Sequence, residues 1–287
     1  MKKIFRAITV AGAAAIAAVS MLAFSGCDTK YPEVKITYEF NGKRYEVVYE
    51  LTRNGAPQTV QHFIELADAG YYDGTVIHDY HDGGTFIYGG GYVLDENGDL
   101  QEKDYWTEIK ALEKKGAKFT QSVYTEGTHT PLYTVRGEFE ANGVVKNSKS
   151  YRHDKKGTLV MYYMDKGDDN THVATVRSDT GELQDGYQYV YNSATSLFYT
   201  YTGAYNTTLD EKYCAFGRTN DFSQLQALMD AVDEYAKQRD ADDPFFVETD
   251  IVLNQHDYFG LGDAKISVTY EVPDLPITIV SVRVEKY

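Results

Sequence analysis

The stretch Ala56–Gly91, APQTVQHFIELADAGYYDGTVIHDYHDGGTFIYGGG, decides how this chain is read. Its first half has the period of a helix. Val60, Phe63, Ile64, Leu66 and Ala67 fall near one face, and Gly70 suits a C-terminal stop. After the Tyr72-Asp73-Gly74 turn the pattern shortens. Thr75-Val76-Ile77 and Phe86-Ile87-Tyr88 read as strands, separated by the polar run from His78 to Gly84.

Upstream, Val34–Phe40 and Tyr45–Leu51 alternate and are rich in β-branched and aromatic residues, with the hairpin signal Asn41-Gly42 between them. Downstream, Tyr92–Val135 is polar and weakly patterned, a surface excursion with a short helix at Trp106–Lys115. Gly157–Met164, Ser196–Tyr201 and Tyr213–Gly217 read as strands. Phe222–Lys237 is a second amphipathic helix carrying Leu225, Leu228, Met229, Val232 and Tyr235 on its apolar face. Gln238–Asp263 is acidic and irregular, and Ile266–Tyr270 and Ile277–Val284 end the chain as strands. Many short strands and two helices set between strand groups predict a mainly β fold. The expected form is a closed barrel whose ends the helices cap. The 26 tyrosines are expected mostly on the barrel surface, since Tyr favours strands and half-burial.

The ends and the composition bound the setting. Lys2, Lys3 and Arg6 precede the apolar run Ala7–Phe24, and Ser25-Gly26-Cys27 follows it. That is the layout of a secretory leader, and the cysteine after it resembles a bacterial lipoprotein processing site. Residues 1–26 are expected to be removed, Cys27 to carry lipid and residues 27–33 to serve as a tether. An uncleaved membrane anchor is the alternative. Either way the body, residues 34–287, is expected outside the cytoplasm as one domain. The net charge is −15, and removing a leader with three basic residues takes it to about −18. Such a charge disfavours nucleic acid and anionic lipid surfaces as partners. With Cys27 committed to lipid, Cys214 is the only other thiol, read as a small buried residue in the apolar run Tyr213–Phe216.

The segment Gly70-Tyr71-Tyr72-Asp73-Gly74-Thr75, followed by Ile77-His78 and Gly89-Gly90-Gly91, resembles the active-site half of the cyclophilin-type peptidyl-prolyl isomerases. Five further blocks fall in the family's order: Gly137-Glu138-Phe139, Lys156–Met161, Asn192–Tyr199, Leu209–Arg218 and Pro276–Ile279. The resemblance implies a cyclophilin-like barrel with insertions near 92–135, 165–190 and 238–265. It also implies isomerisation of X-Pro bonds in proline-containing polypeptides outside the cytoplasm, with no cofactor. The barrier, about 18–20 kcal/mol, comes from amide resonance, and such an enzyme lowers it by binding the twisted bond better than the planar ones.

Carried over residue by residue, the family's catalytic arginine falls at Asp79, which accepts hydrogen bonds and, when ionised, cannot donate to the twisted amide. The family's glutamine falls at Tyr88 or Gly89. The ring pocket maps to Phe86, Tyr199, Leu209 and Tyr213. The alanine-asparagine pair that binds substrate backbone becomes Tyr162-Tyr163, and a second glutamine becomes Leu197. Scaffold positions therefore match while substrate-handling positions depart. A catalytically weak or inactive peptide-binding or scaffold lipoprotein is the competing expectation. An arginine from elsewhere, Arg136 or Arg152, could enter the cleft. His78 and His81 with Asp79 and Asp82 are rich in ligand atoms, but positions 78 and 81 of a strand point to opposite faces, so no metal is expected.

Overall fold

The computed structural model describes residues 29–162, 172–176, 180–188, 194–240, 242–254 and 265–287. The segment expected to be a leader, Cys27, Tyr163, Asn192-Ser193 and much of the expected insertion near 165–190 lie outside the described residues. In chain order the elements are β1 (Glu33–Phe40), β2 (Lys43–Leu51), α1 (Pro57–Asp68), β3 (Thr75–Val76), β4 (Asp79–His81), β5 (Phe86–Gly89), β6 (Tyr92–Leu94) and β7 (Leu100–Glu102). Then come α2 (Tyr105–Lys114), β8 (Val123–Thr125), β9 (Thr158–Met161), β10 (His172–Val176), β11 (Leu183–Gln188), β12 (Phe198–Tyr201) and α3 (Thr207–Lys212). The chain ends with β13 (Cys214–Thr219), α4 (Ser223–Ala236), β14 (Phe246–Asn254), β15 (Lys265–Pro273) and β16 (Thr278–Lys286).

Eleven strands form one curled sheet in the order β4-β5-β12-β9-β13-β2-β1-β16-β3-β6-β7. The expected barrel is therefore not strictly closed: β4 and β7 are its two ends, and no ladder joins them. Between β3 and β4 the chain changes partners from one end of the sheet to the other. Ile77 N–H donates to Ile277 O on one side (2.9 Å), and the next residue, His78, donates to Tyr88 O on the other (3.1 Å). Backbone donors of one short segment are thus satisfied by two parts of the sheet. The β1–β2 hairpin turns at Asn41 and Gly42, both at positive φ (48° and 73°), as a tight turn between right-twisted strands requires.

Period-two alternation sorts the strands into two faces. Phe198, Leu159, Met161, Cys214 and Phe216 point into the main core. They meet Val60, Phe63, Leu66 and Ala67 of α1 there, along with Leu225, Leu228 and Val232 of α4. Helix α1 lies against β13 and β16, and α4 against β1 and β2. Helix α1 has no side-chain cap of its own, since Ala56 stands at the N-cap. Glu138, from the Gly137-Glu138-Phe139 block, replaces it: the N–H groups of Gln58 and Thr59 donate to its two carboxylate oxygens (3.2 and 2.8 Å). Cys214 is fully buried, and burial pushes its thiol up to about 12, so it is an inert core residue.

Three expectations need correction. Residues 92–135 are more than a surface excursion: Tyr92, Val123 and Leu132 form a second apolar cluster with Val76, Val173, Leu197 and Tyr270. The region read as irregular, 238–263, contains β14, paired along its length with β15 as a separate two-stranded hairpin. The tyrosines are not mainly surface residues, since Tyr38, Tyr49, Tyr71, Tyr72, Tyr92 and Tyr199 are among the largest fully buried side chains. Hydroxyl partners make that burial tolerable for several of them, as in Tyr49 with Thr200 (3.2 Å) and Tyr92 with Tyr270 (3.1 Å), whereas the Tyr72 hydroxyl is buried without one among the described residues.

Candidate functional site

The outer face of the same strands carries a separate aromatic group. Phe86 and Tyr88 of β5 stand one pleat apart on that face. Across the ladder Tyr88 faces Tyr199, and Phe86 faces Tyr201. Tyr199, Tyr201, Tyr151, Val160 and Ala215 form one buried cluster, with Phe86, Tyr88, Tyr162, Leu209 and Tyr213 packed against it. Ring centroids are 5.1 Å apart for Tyr88–Tyr199, 5.4 Å for Tyr88–Tyr162, 5.7 Å for Phe86–Tyr199 and 5.8 Å for Tyr199–Tyr213. Tyr162 and Tyr213 stack at 6.1 Å with 12° between planes. Six of the residues expected to handle substrate (Phe86, Tyr88, Tyr162, Tyr199, Leu209 and Tyr213) therefore meet in one place. They pack against one another, and Tyr199 is only 1 % exposed.

Two expected residues border this group rather than joining it. Leu197 belongs to the neighbouring cluster with Tyr92 and Tyr270, which Tyr162 also touches. Asp79 sits on β4 opposite Tyr88, 7 % exposed, and its Oδ1 accepts the backbone N–H of Glu271 from β15 at 3.0 Å. Burial pushes the Asp79 carboxyl from 3.8 up to about 6, against the opposing pull of the Glu271 N–H and of His81. Its neighbour His78 is buried against Tyr92 (centroids 4.4 Å) and Tyr270 (5.0 Å), and burial depresses its imidazole to about 3. His81 is about half exposed, so the two histidines face different surroundings.

Sequence reasoning missed a hydrogen-bonded chain beneath the aromatic group. Asp210, in the first turn of α3, accepts from the backbone N–H of His153 (2.9 Å) and from its Nδ1 (2.8 Å). Nε2 of the same ring stands 2.8 Å from the Tyr199 hydroxyl. Burial pushes the Asp210 carboxyl up. Hydrogen bonds from the His153 ring and backbone outweigh that, leaving it below the usual carboxylate range, so it acts as acceptor and Nδ1 as donor. Burial pushes the Tyr199 phenol well up, so it stays a neutral hydroxyl. Asp210 lay inside the Leu209–Arg218 block, but nothing in the sequence marked His153 as its partner.

The arginines considered from sequence are engaged elsewhere. Arg136 lies over the Tyr187 ring (4.6 Å) and donates to Asn142 O (2.9 Å). Arg152 pairs with Asp210 (3.6 Å) and Glu140 (3.9 Å). Where the family resemblance places a cationic donor, this site has a buried carboxyl with a backbone amide on it.

A family model described as cyclophilin type peptidyl-prolyl cis-trans isomerase/CLD matches residues 34–254. The chain belongs to that family. No curated protein matches it significantly. Among solved structures it is similar to a cyclophilin type peptidyl-prolyl cis-trans isomerase of Cryptosporidium parvum. The two share 16% identity over 90% of this chain and 99% of that one, with a TM-score of 0.46. A structure of the Cryptosporidium parvum protein in the presence of the dipeptide Ala-Pro is similar over 89% and 99%, again at 16% identity, with a TM-score of 0.44.

Proposed function

We propose that this protein is an extracytoplasmic, lipid-anchored cyclophilin that engages proline-containing polypeptides but isomerises X-Pro bonds slowly. The observation that carries this reading is the state of Asp79: it is buried, accepts the Glu271 N–H and offers no donor to a twisted proline amide. Losing one preorganised donor of this kind costs about 2–4 kcal/mol in the transition state, or roughly a hundred- to a thousandfold in rate. Tyr88, Tyr162 and Tyr199 add a second obstacle, because they fill with rings a surface that a proline ring has to enter. The family's fold supports the reading of the partner as a proline-containing chain, and the leader-like segment before Cys27 supports the anchor.

The test is cis-trans isomerisation of an X-Pro peptide by an Asp28–Tyr287 form. It is expected to run about a hundredfold or more slower than with an arginine-bearing cyclophilin at equal concentration. A rate equal to that enzyme's overturns the reading. Asp79→Arg alone is expected to restore little, since the tyrosines still crowd the site. For the anchor, Cys27→Ala is expected to move the protein from the membrane to the soluble fraction, and unchanged membrane retention counts against lipidation.

A further inference from the structure

We infer that the cleft beside Asp79 is filled in cis: strand β15 lies where a bound peptide would run, and Tyr270 takes the place of that peptide's side chain. This deepens the proposed function and rests on reading that cleft as the peptide site. Three observations meet here. The first is the polar contact. An extended strand presents its backbone N–H, that of Glu271, to the carboxylate at the family's arginine position at 3.0 Å. A main-chain amide on a cleft side chain is the kind of bond by which an extended peptide docks.

The second is the side chain next to it. Tyr270 is 8 % exposed and packs in one cluster with Leu197, where the resemblance places a glutamine, and Tyr162, a position that it assigns to holding substrate backbone. Its ring meets His78 at 5.0 Å and Tyr92 at 5.5 Å, and its hydroxyl lies 3.1 Å from that of Tyr92.

The third is attachment. Among the described residues β15 ladders only with β14, so the hairpin is not woven into the eleven-stranded sheet. It is held to β4 by the Asp79–Glu271 bond and by Phe246 stacked on Tyr80 (5.2 Å, 11° between planes). Lifting it breaks those contacts and the packing of Tyr270, Ile251, Val268 and Val272 on the second apolar cluster, and leaves the main sheet ladders intact. β15 also lies beyond residues 34–254, the span that matches the family. A tethered strand competes at an effective concentration in the millimolar range. The apparent affinity of a free peptide then falls by the fraction of molecules whose cleft is open.

The test measures binding of a fluorescently labelled Ala-Ala-Pro-Phe peptide to the full chain by anisotropy. Two variants are compared with the original, Tyr270→Ala and a form whose residues 247–272 are replaced by a short Gly-Ser turn. Both are expected to bind about tenfold or more tightly than the original chain. Tyr270→Phe, which keeps the ring, is expected within about twofold of it. In the original chain, saturating peptide is expected to speed hydrogen exchange at the Glu271 amide. Equal affinity across all forms, with Glu271 protection unchanged, overturns the inference and leaves peptide binding standing. Absence of binding by every form overturns both, because removing the strand then opened nothing.

Discussion

The two faces of β5, β12, β9 and β13 are made of the same strands and do different work. On the inner face, Phe198 packs edge-on against Phe63 and Tyr72, at 5.6 Å from each, in a mainly apolar core that also holds the Tyr49–Thr200 hydrogen bond. On the outer face, one residue along, Tyr199 packs among tyrosines and is tied by its hydroxyl to His153, whose other ring nitrogen bonds Asp210. The inner face is under a packing constraint: any apolar set of the right volume serves. The outer face is under a chemical one, and there aromatic rings pack beside a buried carboxyl at the positions where the resemblance led us to expect substrate-handling residues. The contrast teaches that packing and polar chemistry sit on alternate positions of one strand and are constrained separately.

The largest expected effect is on the inner face. Phe198→Ala should cost about 3–5 kcal/mol of unfolding free energy in a denaturant melt, as a large ring is removed from a fully buried position. A cost under 1 kcal/mol would mean that the two faces are not distinguished by packing. Next comes the buried polar chain. Asp210→Ala leaves the backbone N–H and Nδ1 of His153 without an acceptor, at about 2–4 kcal/mol. If that cost matches Phe198→Ala, the outer face acts as a second core.

Third is the pH response of Asp79. Its carboxyl is pushed from 3.8 up to about 6, so between those values the folded chain keeps a proton that the unfolded chain has lost. Its contribution therefore makes stability fall as pH rises through that window, by up to about 3 kcal/mol. Asp79→Asn keeps an acceptor for Glu271 N–H and removes the titration. Its melts between pH 4 and 7 should lose that slope and show a gain at pH 7. An unchanged slope would place the titration elsewhere. The smallest effect belongs to Tyr199→Phe, which deletes one hydroxyl and keeps the ring, at about 1 kcal/mol. A much larger loss would show that the His153–Asp210 chain, rather than ring packing, holds the outer face.

Much of the fold was legible because it is local. The Asn41-Gly42 turn, the stripe from Val60 to Ala67 and the alternation of Phe198-Tyr199-Thr200-Tyr201 each declare their element within a few residues. The resemblance also set Phe86, Tyr199, Leu209 and Tyr213 together, and these four pack in one cluster. What was not legible joins distant residues. Glu138 caps a helix 79 residues away, His153 meets Asp210 across 57, and Asp79 meets Glu271 across 192. No periodicity records such pairs, because each is chosen by geometry after the elements have packed.

By itself, then, the sequence determined most strands of the main sheet, the two long amphipathic helices, the barrel-like class and the family. The curl left open between β4 and β7 and the change of partner at Ile77–His78 were decided only by tertiary structure. So were the burial of Asp79 under β15 and the closing of the tyrosines on one another. The physical reason is range. Propensity and alternation act over a few residues, while the protonation state, partners and openness of a site depend on which remote groups desolvate it.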